Sequence, residues 1–198
     1  MVNNYEIIKQ MRDYADMNNV PIMLDDGISY LIKYINTNNI TNILEIGTAI
    51  GYSAIMMALA NPNLKITTIE RDEKRYLEAV KNIKKANLED RITLIYQDAL
   101  DVVLDDMFDL VFIDAAKAQN IKFFEKFSKN LSSRGTIVTD NLNFHGLVEK
   151  DEEQIESKNL KALVRKLKLY IEYLKENEKF STTFLSVGDG LAISIKKD

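Results

Sequence analysis

The stretch Asn42-Ile43-Leu44-Glu45-Ile46-Gly47-Thr48-Ala49-Ile50-Gly51-Tyr52-Ser53-Ala54-Ile55 decides the fold. Its apolar opening, Asn42 to Gly47, has strand character, and from Tyr52 to Ala60 the apolar spacing becomes helical. Between them Gly47 and Gly51 permit a tight turn and let a ligand approach backbone N–H groups at a helix start. The spacing is Gly-x-x-x-Gly with Ala49 at its centre. The dinucleotide pattern wants a third glycine, so this turn speaks against a nicotinamide-dependent reductase. Standing alone, the glycine pair is also compatible with a purely structural turn.

The same unit repeats outward. Lys65 to Glu70 (KITTIE), Arg91 to Tyr96 (RITLIY), Phe108 to Asp114 (FDLVFID) and Gly135 to Asp140 (GTIVTD) are short apolar runs. They are separated by predicted helices over Glu73 to Ala86 and Asn120 to Leu131, with a short turn over Ala99 to Leu104. Strands that are apolar throughout and alternate with helices imply a parallel sheet covered on both faces. Upstream, Tyr5 to Asn19 reads as an amphipathic helix ended by Pro21, and a second helix spans Asp26 to Asn36. Downstream, a long helix from Glu152 to Asn177 leads to two strands, Ser181 to Val187 and Leu191 to Lys196, around Gly188-Asp189-Gly190. That turn predicts an antiparallel hairpin at the sheet edge. The expectation is one doubly wound α/β domain, with residues 1–38 as a helical cap and 39–198 as its core.

Composition narrows the class. The chain has 198 residues, 46% hydrophobic and 28% charged, which excludes a disordered chain. No apolar run reaches the roughly 18 to 20 residues of a membrane span, and charge interrupts every apolar stretch of Met1 to Arg12, unlike a signal peptide. The absence of cysteine removes disulfides, thiolate metal sites and a thiol nucleophile. A formal net charge of −4 argues against bulk electrostatic coating of nucleic acid. A soluble, cytoplasmic protein is expected.

Ligand-type side chains stand at the carboxyl ends of successive predicted strands, where doubly wound sheets bind ligands. Glu70 ends the second strand, 19 residues after Gly51, where a carboxylate can accept both ribose hydroxyls. Asp98 follows the third strand and can meet an adenine amine, or simply cap a helix. Asp114 ends the fourth strand, and Asp140 with Asn141 ends the fifth. Two carboxylates and an amide on adjacent strands form a hard oxygen set suited to Mg²⁺, and less specifically to Mn²⁺ or Ca²⁺. Either aspartate alone reads equally as a cap. Lys117 lies in the loop after Asp114. Near a divalent cation and away from bulk water a lysine can act as a general base; otherwise it is a surface lysine.

Taken together, Leu44 to Ile55 (LEIGTAIGYSAI), Thr68 to Glu73 (TIERDE), Gln97 to Ala99 (QDA), Phe112 to Lys117 (FIDAAK) and Thr139 to Asn141 (TDN) resemble the cation-dependent O-methyltransferases. This class I S-adenosylmethionine group includes the catechol and caffeoyl-CoA methyltransferases. The likeness runs from Val20 to the C-terminal hairpin. Val20 to Met23 (VPIM) and Thr139 to Val148 (TDNLNFHGLV) look most like a bacterial branch containing the tRNA 5-hydroxyuridine methyltransferase. Asn143 and His145 depart from the residues usual in that branch.

The resemblance implies a Rossmann-like seven-stranded sheet with an antiparallel C-terminal strand. It implies that Met23 and Ser53 lie at the methionine end of the cofactor and Gly47 lies under the sulfonium. Glu70 would hold the ribose, Asp98 and Ala99 would line the adenine, and Glu45 and Asp114 would complete the cofactor set. Asp114, Asp140 and Asn141 would bind Mg²⁺, with Lys117 and Asp114 at the catalytic centre. A homodimer is also implied. The favoured acceptor is 5-hydroxyuridine at the tRNA wobble position, giving 5-methoxyuridine, and the alternative is a small catechol or caffeoyl-CoA-type molecule. Both present two adjacent oxygens, so the catalytic residues do not choose between them. Basic residues are dense in Lys117 to Arg134 and in Lys158 to Lys179, as an RNA-facing or a merely solvated surface would be.

Overall fold

A computed structural model describes residues 3–143, 146–148, 152–155 and 157–197. The described residues form a seven-stranded sheet in the order β3-β2-β1-β4-β5-β7-β6. The strands are β1 (Asn42–Ile46), β2 (Lys65–Glu70), β3 (Ile92–Tyr96), β4 (Phe108–Ile113), β5 (Leu131–Thr139), β6 (Phe180–Leu185) and β7 (Leu191–Lys196). β1 to β5 pair in parallel, and β7 inserts antiparallel between β5 and β6. The expected C-terminal hairpin therefore forms, with its second strand against the sheet and its first strand at the edge.

Alternation along each strand builds two cores. Ile43, Ile66, Leu110 and Phe112 face α1 (Asn4–Asn18), α2 (Asp25–Thr37), α3 (Tyr52–Ala60) and α4 (Glu73–Lys85). Leu44, Ile69, Val111 and Ile113 face α5 (Asn120–Phe127) and α6 (Lys158–Lys175). The amphipathic stripe of α1 enters the first core through Ile7, Met11 and Ala15. Each of the two larger side chains adds about 1.5 to 3 kcal/mol by leaving water.

Several boundaries differ from expectation for local reasons. α1 ends when Asn19 adopts a left-handed conformation, φ 51°, ahead of Pro21. α6 begins at Lys158 because Ser157, extended, caps it through the Leu160 N–H; Glu152–Gln154 is a separate 3-10 turn. α5 stops at Phe127, where Ser128 Oγ donates to the Glu125 carbonyl and Asn130 Nδ2 donates to the carbonyls of Leu104 and Asp106. Leu131 then starts β5 opposite Phe108, ahead of an irregularity in the β4–β5 register. No helix among the described residues is long and apolar enough to cross a membrane.

Candidate active site

Parallel pairing carries one residue past each strand end and thereby levels the site. Gly47 N–H donates to the Ile69 carbonyl (3.0 Å), Gln97 N–H to Glu70 (3.0 Å), Asp114 N–H to Ile46 (2.9 Å) and Asp140 N–H to Ile113 (3.1 Å). The residues after β1, β3, β4 and β5 thus stand at one rim, above a cleft of about 370 Å³. The cleft gathers Met23, Gly47, Ser53, Glu70, Asp98, Ala99, Asp114, Lys117 and Asn141.

Gly47 is demanded by close approach. Its φ is +98°, and a Cβ there would stand 2.2 Å from the Asp114 carbonyl oxygen. Glu70 anchors the turn above it: Oε2 accepts from the Ala49 N–H at 2.8 Å, and Oε1 from the Arg71 and Asp72 N–H groups at 2.9 and 2.8 Å. One carboxylate therefore ties the glycine turn to the loop after β2, leaving acceptor capacity on Oε2 toward the cleft. Asp98 takes the Leu100 N–H at 2.9 Å and Arg71 Nη1 at 3.0 Å, and these donors hold its carboxyl below the ordinary range.

Glu45 does not line the cleft. It points from β1 toward α3, fully buried, where Ser53 Oγ and Thr68 Oγ1 each approach one carboxylate oxygen at 2.5 Å. Thr48 and Thr68 share a further hydroxyl contact of 2.6 Å. Burial pushes the Glu45 carboxyl up to about 7, against the pull of its two hydroxyl donors. Glu45 sits one layer beneath the cofactor set expected from the sequence and reaches the cleft through Ser53.

At the β4–β5 rim the acids meet one another. Lys117 Nζ donates to Asp114 Oδ1 at 2.9 Å. The Asn141 amide donates to Asp140 Oδ2 at 2.9 Å and approaches Asp114 Oδ1 at 3.4 Å. Asp140 is only 3% exposed. Burial, and then the nearby negative charge of Asp114, push its carboxyl up to about 7. Asn141 itself is left-handed, φ 64°, which aims its amide back between the two acids.

An oxygen-seeking cation fits this arrangement. Two convergent carboxylates face one lysine, and the buried one bears an energetic cost that positive charge relieves. Amide N and O are assigned from hydrogen bonding; rotating the Asn141 amide by half a turn would aim its Oδ1 at the same point. Among the described residues no three His, Cys, Asp or Glu side chains group as metal ligands, so the amide is needed to complete the set.

A family model described as O-methyltransferase matches residues 1–197. The chain belongs to the O-methyltransferase family. Catechol O-methyltransferase from Niastella koreensis is 34% identical over 169 residues, 79% of this chain and 73% of that protein. A solved structure from Staphylococcus aureus, described as a candidate caffeoyl-CoA O-methyltransferase, superposes with a TM-score of 0.91 at 40% identity, covering 96% of this chain and 92% of that one. The O-methyltransferase from Bacillus cereus, solved with SAH, gives a TM-score of 0.83 at 26% identity, covering 100% and 93%.

Within this O-methyltransferase the cleft also holds residues that sequence reading passed over. Tyr52, Arg71 and Arg75 line it, and adjacency to Ser53 and Glu70 was the available signal for the first two. His145 lies outside the described residues.

Proposed function

We propose that this O-methyltransferase moves a methyl group from S-adenosylmethionine to one of two adjacent oxygens of a small catechol-type acceptor, with a divalent cation, Mg²⁺ by preference, held by Asp114, Asp140 and Asn141. The observation that carries this reading is the junction at Asp114. Its backbone carbonyl touches the Gly47 turn, while its carboxylate belongs to the cluster with Lys117 and Asn141. A cofactor in the cleft and an acceptor at the acids would therefore meet at one residue. Relatives named as catechol and flavonoid methyltransferases favour a small acceptor.

The methyl donor supplies an electrophilic carbon, and the cation supplies positive charge that favours an ionised acceptor oxygen. The chain's own residues do the positioning. Glu70, already fixed by three N–H donors, presents its remaining acceptor capacity to the ribose hydroxyls. Ser53, steered by Glu45, faces the amino-acid end, and Asp98 with Ala99 faces the adenine. Lys117 Nζ, largely shielded, stands beside Asp114; paired there as an ammonium it has no free lone pair, so it would take the acceptor's hydroxyl proton only after releasing its own to water.

A second acceptor, 5-hydroxyuridine in tRNA, has the same pair of adjacent oxygens. The resemblance of Val20 to Met23 and Thr139 to Val148 to the tRNA-modifying branch supports it. The resemblance also supports a homodimer, which light scattering on the purified chain tests. Transfer of label from S-adenosylmethionine to a plain catechol and to tRNA carrying 5-hydroxyuridine, run side by side, separates the acceptors. Turnover of catechol with unlabelled tRNA is expected. Labelled tRNA with unreacted catechol would make RNA the substrate, and transfer to neither would remove the catalytic reading.

A further inference from the structure

Three side chains from three helices meet beside the cleft. Arg12 of α1 donates through Nη1 and Nη2 to the two carboxylate oxygens of Asp25 in α2, at 3.0 and 2.5 Å. The same Nη2 donates to the hydroxyl of Tyr52 at the start of α3, at 2.7 Å. The guanidinium also lies 5.6 Å from the centre of the Tyr52 ring. A two-pronged fork with an aromatic floor fixes direction as well as charge. It differs from an ordinary surface pair because one of its partners, Tyr52, is buried at 2% exposure, while the Arg12 and Asp25 side chains keep 41% and 71%.

What this cluster joins gives it a consequence. The connection between α1 and α2 runs past the cleft, and its residues Pro21, Ile22 and Met23 line it. Upstream, the connection is tied to α1 by the Val20 N–H donating to the Ala15 carbonyl at 2.9 Å. Downstream, it enters α2 at Asp25. Arg12 bridges that downstream end to Tyr52, which lines the cleft from α3. Arg12 itself does not line the cleft, so any effect on a ligand passes through its two partners.

We propose that Arg12 is a positioning residue for cofactor retention, latching the α1–α2 connection over the occupied cleft through Asp25 and Tyr52. The proposal rests on the cleft being the cofactor site. Opening the latch frees one wall of the cleft without removing a ligand contact, so escape of bound cofactor speeds up while entry changes little.

The test is stopped-flow binding of SAH to the full chain and its variants. Arg12→Met and Asp25→Asn are each expected to raise the SAH dissociation rate about tenfold, a charged hydrogen bond discounted for exposure, with association within about twofold. Arg12→Lys should restore part of the retention, since lysine can reach one oxygen but cannot form the fork. Asp25→Asn, altering an exposed side chain, keeps the test open if Arg12→Met does not fold. Unchanged release in folded Arg12→Met or Asp25→Asn would overturn the latch, as would a change confined to association. Failure of the unaltered chain to bind SAH would instead remove the cofactor reading on which the latch depends.

Discussion

At the β1–β3 rim, Glu45 receives two hydroxyls and Glu70 receives three backbone N–H groups. At the β4–β5 rim, Asp114 takes Lys117, Asp140 takes the backbone N–H of Asn141, and the Asn141 amide lies between the two acids. The first rim is a finished hydrogen-bonded scaffold, able to hold a neutral or zwitterionic ligand as it stands. The second brings two carboxylates together, and burial first, then the negative charge of Asp114, holds its more buried member up to about 7. On the proposed reading this contrast separates binding from chemistry: one end of the cleft would hold the cofactor, and the other would hold the cation and the acceptor.

Breaking the second rim should have the largest effect. Asp140→Ala is expected to lower methyl transfer by about 10²- to 10³-fold, the range for losing a direct electrostatic element of a transition state. SAH affinity should stay within about threefold, because Asp140 is not among the residues lining the cleft. Isothermal titration beside a labelled-transfer assay reads both quantities. Equal losses in the two would merge the rims into one function.

Gly47→Ala attacks the junction between them. The added methyl meets the Asp114 carbonyl at 2.2 Å, and relief requires moving either the turn or β4. A cost of about 3 kcal/mol or more is expected in denaturant unfolding, together with weaker SAH binding. Ala49 provides the control within the same turn. It already adopts φ 47° as a non-glycine residue, so left-handed backbone alone does not explain the demand for glycine at position 47.

Glu45 sharpens the first rim through pH. Its folded pKa of about 7 lies above the ordinary 4.5, so the folded chain holds this proton more tightly than the unfolded one. The stabilisation by the neutral form is complete below 4.5 and is lost as pH rises through about 7, amounting to about 3 kcal/mol for such a shift. The stability difference between the unaltered chain and Glu45→Gln should therefore fall by about that amount between pH about 4.5 and about 7.5. A difference independent of pH would mean that Glu45 ionises like an exposed carboxylate.

The two rims were also unequally legible in the sequence. Glu70, Asp98, Asp114 and Asp140 could be placed because each follows an apolar strand, and parallel pairing brings such ends to one level. The strands themselves had few competing readings, since short β-branched runs covered on both faces fit little else. Glu45 was harder. It sits inside a strand, and which face it takes depends on register, so its position under Ser53 rather than in the cleft appears only after folding. The end of α5 was hidden in side-chain bonds of Ser128 and Asn130 to backbone carbonyls, which no apolar period encodes. The Arg12–Tyr52 contact spans 40 residues between helices, a distance at which spacing rules are silent.

The most direct test of this division of labour is one protein sample measured twice, with Mg²⁺ and with EDTA: SAH binding by calorimetry and labelled methyl transfer to catechol. SAH binding should be unchanged by the chelator, while transfer should fall to background and return when Mg²⁺ is added in excess. Undiminished transfer in EDTA would contradict the account, because the β4–β5 acids would then be working without a cation.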